Sequence, residues 1–217
     1  MASRYKLTYF DLKGRAEAIR IAFEYAGVKY EDVRVSWENR ATGEWSQTKN
    51  SGKFPFGTLP ILEVDGVTLS QSMAILRFVA KRHGLSPEDE IQLAKADAFA
   101  EEVHTLENGF IRVLLNPNPE ENKDLMDNFF SETVPTSAQY LEKILEKNEK
   151  CEVYCVGNKL SYADIYFFTF FNNYSAKDDR TIPDALKNFP RLTALYEKVR
   201  DEPKISEWIE RRPKSAI

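Results

Sequence analysis

"LPILEVDGVTLS", residues 59–70, decides the fold. Asp65-Gly66 is the strongest short hairpin signal a sequence carries, and the β-type runs "ILEV" and "VTLS" flank it. The stretch opens on Pro60, which lacks an N–H and so suits the start of a strand or an edge. Directly after it, "SMAILRFVAKRHG" reads as a helix, capped by Ser70 or Ser72 and stopped by Gly84.

Working back from the hairpin, residues 36–57 are polar, carry Trp37 and Trp45, and form a long loop with room for a short helix. Before the loop, "YEDVRV" from Tyr30 reads as a strand. In "YKLTYF", Tyr5, Leu7 and Tyr9 share one face and Lys6, Thr8 and Phe10 the other. Between these strands Ile19, Ala22, Phe23 and Ala26 fall at helical spacing, and Gly27 supplies the left-handed residue that ends a helix over 15–26. The order β-α-β then ββ-α implies a small mixed sheet, parallel across the crossover and antiparallel across the hairpin. That is a thioredoxin-like arrangement. It has no CxxC: Phe10, Asp11 and Leu12 occupy the region where a reactive cysteine would sit, so thiol-disulfide exchange is disfavoured.

Working forward, strand signals stop after "SPEDE". Helical patterns cover roughly 88–115, 122–149, 162–175, 191–201 and 204–211. The expected division is therefore a thioredoxin-like domain over 1–84 and an all-helical domain over 85–217. In "GNKLSYADIYFF", Ser161 and Asp164 have capping-box spacing, with Leu160 and Ile165 as a hydrophobic staple. This is first a folding element, and any functional share falls to exposed aromatics nearby such as Tyr166.

Composition excludes several function classes. With 34 acidic and 30 basic side chains the net charge is −4, which offers no basic field for nucleic acid or an anionic membrane. Cys151 and Cys155 are spaced neither as a redox pair nor as half of a zinc ribbon, and with only His83 and His104 no metal site is expected. The start "MASRYKLTYF" has no apolar leader pattern, and nowhere do about 18 apolar residues run together. The expectation is a soluble, cytoplasmic protein.

The residues able to carry chemistry gather in the first half. Pro60 is either an ordinary edge proline or, in this frame, a cis-proline that turns the Leu59 backbone outward to pair with an extended peptide. Ser70 to Ser72 open a helix whose amides and dipole suit a carboxylate. Tyr9 ends a strand as either a half-buried aromatic or a donor to an anion. Arg15 enters a helix against the dipole, and the pair suggests a shared anion.

The stretches "YKLTYF", "GRAE", "YED", "PFGTLPILEVDG", "LSQSMAI", "SYAD" and "WIERRP", in this order, resemble the cytosolic glutathione transferases. Within them the sigma class, to which haematopoietic prostaglandin D synthases belong, is the nearest pattern. The resemblance implies a homodimer that binds glutathione mainly through its first domain. It implies that Tyr9 stabilises the glutathione thiolate with support from Arg15. Trp45 and Lys49 would hold the glycine end, Leu59 before Pro60 the cysteinyl backbone, and Gln71 with Ser72 the γ-glutamyl end. Phe10, Arg15 and Tyr166 would line the electrophile pocket, to which the helical domain contributes. Two positions depart from the pattern. His104 stands where many relatives carry an aspartate that reaches the γ-glutamyl amine across the dimer, so that either another group such as Glu101 or Glu102 meets the amine or binding is weaker. Arg112 stands near the pocket tryptophan of the prostaglandin synthases. The implied activity is conjugation of glutathione to hydrophobic electrophiles in detoxification, or reduction of lipid hydroperoxides. The alternative is a non-catalytic ligand-binding or lens-crystallin-like protein.

Overall fold

The Asp65-Gly66 hairpin forms as a type I′ turn, with both central residues at positive φ, 51° and 83°. It joins β3 (Ile61–Val64) to β4 (Val67–Ser70), paired antiparallel with Ile61 opposite Ser70. The computed structural model describes residues 4–149, 151, 153–176 and 178–215, so the expected domain ends at 1 and 217 fall outside it.

The sheet runs in the order β2-β1-β3-β4. Central β1 (Tyr5–Phe10) pairs parallel with β2 (Tyr30–Val35), Tyr5 opposite Tyr30, and antiparallel with β3, Tyr5 opposite Val64. This is the mixed thioredoxin-like sheet. The crossover carries a 3-10 turn at Gly14–Ala16 and then α1 (Glu17–Ala26), which buries Ile19, Ala22 and Phe23. Gly27, at φ 67°, ends α1 in the left-handed conformation, its N–H bonded to Phe23 and Glu24 carbonyls. The long loop contains the short α2 (Glu44–Thr48), anchored where Trp45 meets Phe54 and Ile61 in an apolar cluster that also takes in Phe10, Val35 and Leu59.

Helix α3 (Ser72–Arg82) buries Ile75, Leu76 and Val79 and packs beside α1. Its start corrects the sequence reading. The cap position belongs to Gln71, at φ 72°, and neither Ser70 nor Ser72 caps it; the Ser70 hydroxyl is buried without a hydrogen bond. The left-handed turn at Gln71 carries the chain from β4 into the helix and leaves the serines out of capping geometry.

The second unit, Pro87–Glu202, is helical. Helix α4 (Glu90–Leu114) is capped by the Asp89 side chain, which accepts from the Gln92 N–H at 2.9 Å. The reading of one helix over 122–149 is broken into α5 (Pro119–Asn128) and α6 (Val134–Glu146) by a π segment, Phe129–Thr133. Pro135 explains the break: it cannot donate to the carbonyl four residues back and its ring crowds that carbonyl, and a wider turn relieves both. Helix α7 (Tyr162–Tyr174) starts on the expected capping box and is buried from Tyr162 to Asn173. Helix α8 (Pro190–Arg200) follows.

The last helix is α9 (Pro203–Arg211). By its contacts it groups with the first unit, packed against α1 with Ile205, Trp208 and Ile209 buried. Among the described residues no helix is long and apolar enough to cross a membrane.

Candidate functional site

The end of β1 places Tyr9 beside the Gly14–Ala16 turn, with its side chain 8% exposed. The Arg15 N–H donates to the Tyr9 hydroxyl oxygen at 3.3 Å. A donor on that oxygen makes its own proton a better one to give away. Gly14 has no substitute here. Its φ is 40°, and a Cβ at that position would lie 2.7 Å from the phenol oxygen and 3.0 Å from a ring carbon. No side-chain carbon fits between this backbone and the phenol, so only glycine permits the approach. The sequence reading passed over this glycine, although a glycine between a strand end and a helix start is the signal for such an approach.

Arg15 sits in the 3-10 turn, half-buried and ahead of α1. Its cation is thus outside the first turn of the helix proper, where the dipole would oppose it. Leu59-Pro60 is a cis peptide immediately before β3, the second of the two readings open for Pro60. Pro60 is buried, Leu59 half-buried, Gln71 exposed and Ser72 buried at the start of α3.

Trp45 is 9% exposed and meets Phe54 edge-on at a centroid distance of 4.9 Å, while Lys49 is exposed one residue past α2. Phe10 packs edge-on against Trp37 at 5.0 Å and Trp45 at 5.9 Å. Asp11, which the sequence reading did not single out, ties this loop to the end of β1. Its N–H donates to the Val35 carbonyl at 2.9 Å, and its carboxylate accepts from the Trp37 N–H at 2.8 Å. So Tyr9, Phe10, Arg15, Trp45, Lys49, Leu59, Pro60, Gln71 and Ser72 all belong to the first unit.

Tyr166 belongs to the second unit and is corrected in character. It is 2% exposed, not an exposed aromatic. Helix α7 is apolar on every side, and such a helix is buried all round. The Tyr166 hydroxyl donates to buried Glu107 at 2.7 Å, and the His104 Nδ1 lies 2.8 Å from the same oxygen. Since a phenol has one proton and Glu107 takes it, Nδ1 is the donor in the second contact. Tyr174 also donates to Glu107, at 3.2 Å. A separate cavity of about 760 Å³ opens in this unit, walled by Phe130, Pro135, Gln139, Tyr174, Asn188 and Phe189, and no residue of the expected set lines it.

Cys151 and Cys155 are both unpaired thiols. Burial, together with the nearby Asp164 carboxylate, holds the Cys155 thiol well above its ordinary pKa, so it is no nucleophile. Among the described residues no group of three or more His, Cys, Asp or Glu could hold a metal ion.

Comparison with known proteins gives this geometry a family. Residues 5–81 match the family "Glutathione S-transferase, N-terminal domain", and residues 104–212 match "Glutathione S-transferase, C-terminal domain". The chain is 37% identical over 216 residues to the hematopoietic prostaglandin D synthase of Gallus gallus, covering 98% of each chain. The chain belongs to the glutathione S-transferase family. It is also 34% identical to glutathione S-transferase 3 of Caenorhabditis elegans, covering 97% of this chain and 98% of that one. Among solved structures, a glutathione S-transferase of the hookworm Necator americanus, described as monomeric, superposes with a TM-score of 0.84. It is 34% identical and covers 99% of this chain and 100% of its own. The transferase fold thus extends over both units, and glutathione is the co-substrate of the family.

Proposed function

We propose that this chain is a sigma-class glutathione transferase that joins the glutathione thiolate to hydrophobic electrophiles, with the Tyr9 hydroxyl as donor to sulfur. One observation carries the reading: the glycine-only approach of Gly14 to the Tyr9 phenol, with the Arg15 N–H on its oxygen. A merely structural tyrosine at a strand end would need neither.

The energetics suffice. A thiol of pKa about 8.5 is only a few per cent ionised at pH 7, and each unit of depression needs about 1.4 kcal/mol. A charge-assisted hydrogen bond contributes roughly 1.5–3 kcal/mol. One donation from Tyr9, with the Arg15 charge in support, therefore accounts for a shift of about one to two units. The thiolate then attacks the electrophile, the new sulfur bond forms as the leaving group departs, and the enzyme itself is not covalently modified.

In this reading residues 1–84 hold glutathione. Leu59 before Pro60 pairs with the cysteinyl backbone, Trp45 and Lys49 hold the glycine carboxylate, and Gln71 with Ser72 bind the γ-glutamyl carboxylate. That last assignment is supported by the start of α3, whose cap position makes no side-chain hydrogen bond. On the first unit the electrophile residues are Phe10 and Arg15, while Tyr166 is buried in the second unit with its hydroxyl on Glu107. The setting is cytoplasmic detoxification by a homodimer, and a monomer mass by light scattering at micromolar concentration would remove the dimer from the proposal.

Tyr9→Phe tests the reading directly. The rate of conjugation to chlorodinitrobenzene should fall about ten- to a hundredfold near neutral pH, with the apparent pKa moving up toward that of free glutathione. Affinity for glutathione should stay close to wild type. An unchanged pH profile would take Tyr9 out of the mechanism, and glutathione retention without any turnover would leave a binding protein.

A further inference from the structure

Glu17 is 1% exposed and holds three donors from two distant parts of the chain. Its Oε1 accepts from the Trp208 indole at 2.8 Å and from Arg212 Nη1 at 2.9 Å, and its Oε2 accepts from Arg20 Nη1 at 3.1 Å. Arg20 is fully buried and reaches further. The same Nη1 donates to the Leu12 carbonyl at 2.8 Å and the Lys13 carbonyl at 3.3 Å, while Nε donates to Asp32 on β2 at 3.2 Å. From the other side the Lys13 N–H donates to the Ser215 hydroxyl at 3.2 Å.

Residues 12 and 13 lead straight into Gly14. Their polar groups are thus held by Arg20 and by the last described residue of the chain, and the very next residue presses on the Tyr9 phenol. The Arg20 guanidinium also lies 5.9 Å from the Tyr9 ring centroid. A network of this kind is a poor device for stability alone, since well-packed apolar residues commonly serve as well. Its distinctive property is directional: each hydrogen bond fixes an angle as well as a distance.

We infer that the C-terminal segment Trp208–Ser215 positions the Tyr9 hydroxyl against the reacting sulfur, acting through Glu17, Arg20 and the 12–14 turn. These are positioning residues; none touches the thiol. The inference rests on the proposed role of Tyr9 and adds that the far end of the chain sets how well Tyr9 performs it. Helix α9 is suited to transmit this, because Ile205, Trp208 and Ile209 are buried and the Lys204 ammonium donates to the Tyr25 carbonyl at 2.8 Å. The residues just past its end, Arg212 and Ser215, are thereby delivered to one place.

The test uses the full chain with two mild substitutions, Trp208→Phe and Ser215→Ala, and a charge pair, Arg212→Lys and Arg212→Met. Two quantities are followed against pH: the ultraviolet absorbance of the thiolate of bound glutathione, and kcat for chlorodinitrobenzene. The apparent thiol pKa should rise by about half to one unit in the mild variants, equivalent to about three- to tenfold less thiolate below it. Arg212→Met should move it further than Arg212→Lys, with KM for glutathione unchanged throughout. A fall in melting temperature with the pH profile in place would overturn the inference and leave the Tyr9 reading standing. A wild-type protein whose bound thiol titrates like free glutathione would overturn both.

Discussion

Glu17 and Asp164 are both buried carboxylates in the first turn of a helix, one in each unit, and they are held in opposite ways. Asp164 is satisfied by its neighbourhood. It accepts from the Ser161 N–H and hydroxyl and from the Cys155 N–H, each at 2.8 Å. Glu17 is satisfied by residues 191 and 195 positions away, together with Arg20 one turn on. Their ionisation follows. Burial pushes Asp164 up, and hydrogen bonds from neutral groups do not undo it. Burial also pushes Glu17 up, but the Arg20 and Arg212 charges overcome this and hold it below its ordinary value. The difference between these two acids lies in the two guanidinium charges beside Glu17, since hydrogen bonds pull both downward.

The largest effect that would break this contrast is Glu17→Ala, which leaves two buried guanidinium groups without their carboxylate. A loss of about 3–5 kcal/mol in denaturant unfolding is expected, and a loss under about 1 kcal/mol would mean that the network anchors nothing. Asp164→Ala should cost less, about 2–3 kcal/mol, since it strands neutral donors and one helix cap. Gly14→Ala comes next, at about 1–2 kcal/mol for its positive φ, but its effect on conjugation should be disproportionate because the added carbon meets Tyr9. If rate and stability fall in step instead, the close approach is only packing.

The smallest effects are the slopes of stability with pH, and they differ in sign. Native Glu17 binds fewer protons than unfolded Glu17, so its contribution is complete above about pH 4.3 and is lost as pH falls through the depressed native value. Native Asp164 keeps its proton longer than the unfolded residue. Its contribution is therefore present below about pH 3.9 and is lost as pH rises through the raised native value. Thermal melts over about pH 2–6 should show Glu17→Gln flatter than wild type on the acid side. Asp164→Asn should be steeper, gaining on wild type as pH rises.

The same contrast explains what could be read from the sequence. The Asp65-Gly66 turn and the Ser161–Asp164 box are local, complete within four residues, and both form as read. The thioredoxin-like order of elements is likewise written in periodicity and turn residues. Glu17 is not legible in this way, because nothing near it announces Trp208 or Arg212. Helix α9 shows the helical spacing of Ile205, Trp208 and Ile209, but periodicity says that a face is buried and never against what. Ser70 and Ser72 look like caps by residue type, and the left-handed Gln71 between them overrides that. The burial of Tyr166 has a local signal, since "YADIYFFTFF" has no polar face to put outside.

Helix α9 also says something about how the protein is made. Residues up to Ser86 leave the ribosome before the helical unit does, yet the unit they form is completed only by residues from Pro203 onward. Until those arrive, Glu17 and Arg20 have each other but neither the indole of Trp208 nor the charge of Arg212, and the 12–14 turn lacks Ser215. The helical unit between can be completed from one continuous stretch of chain. The unit begun before the helical one is thus completed after it, and its closing contacts span 191 to 202 residues, a large loop to close.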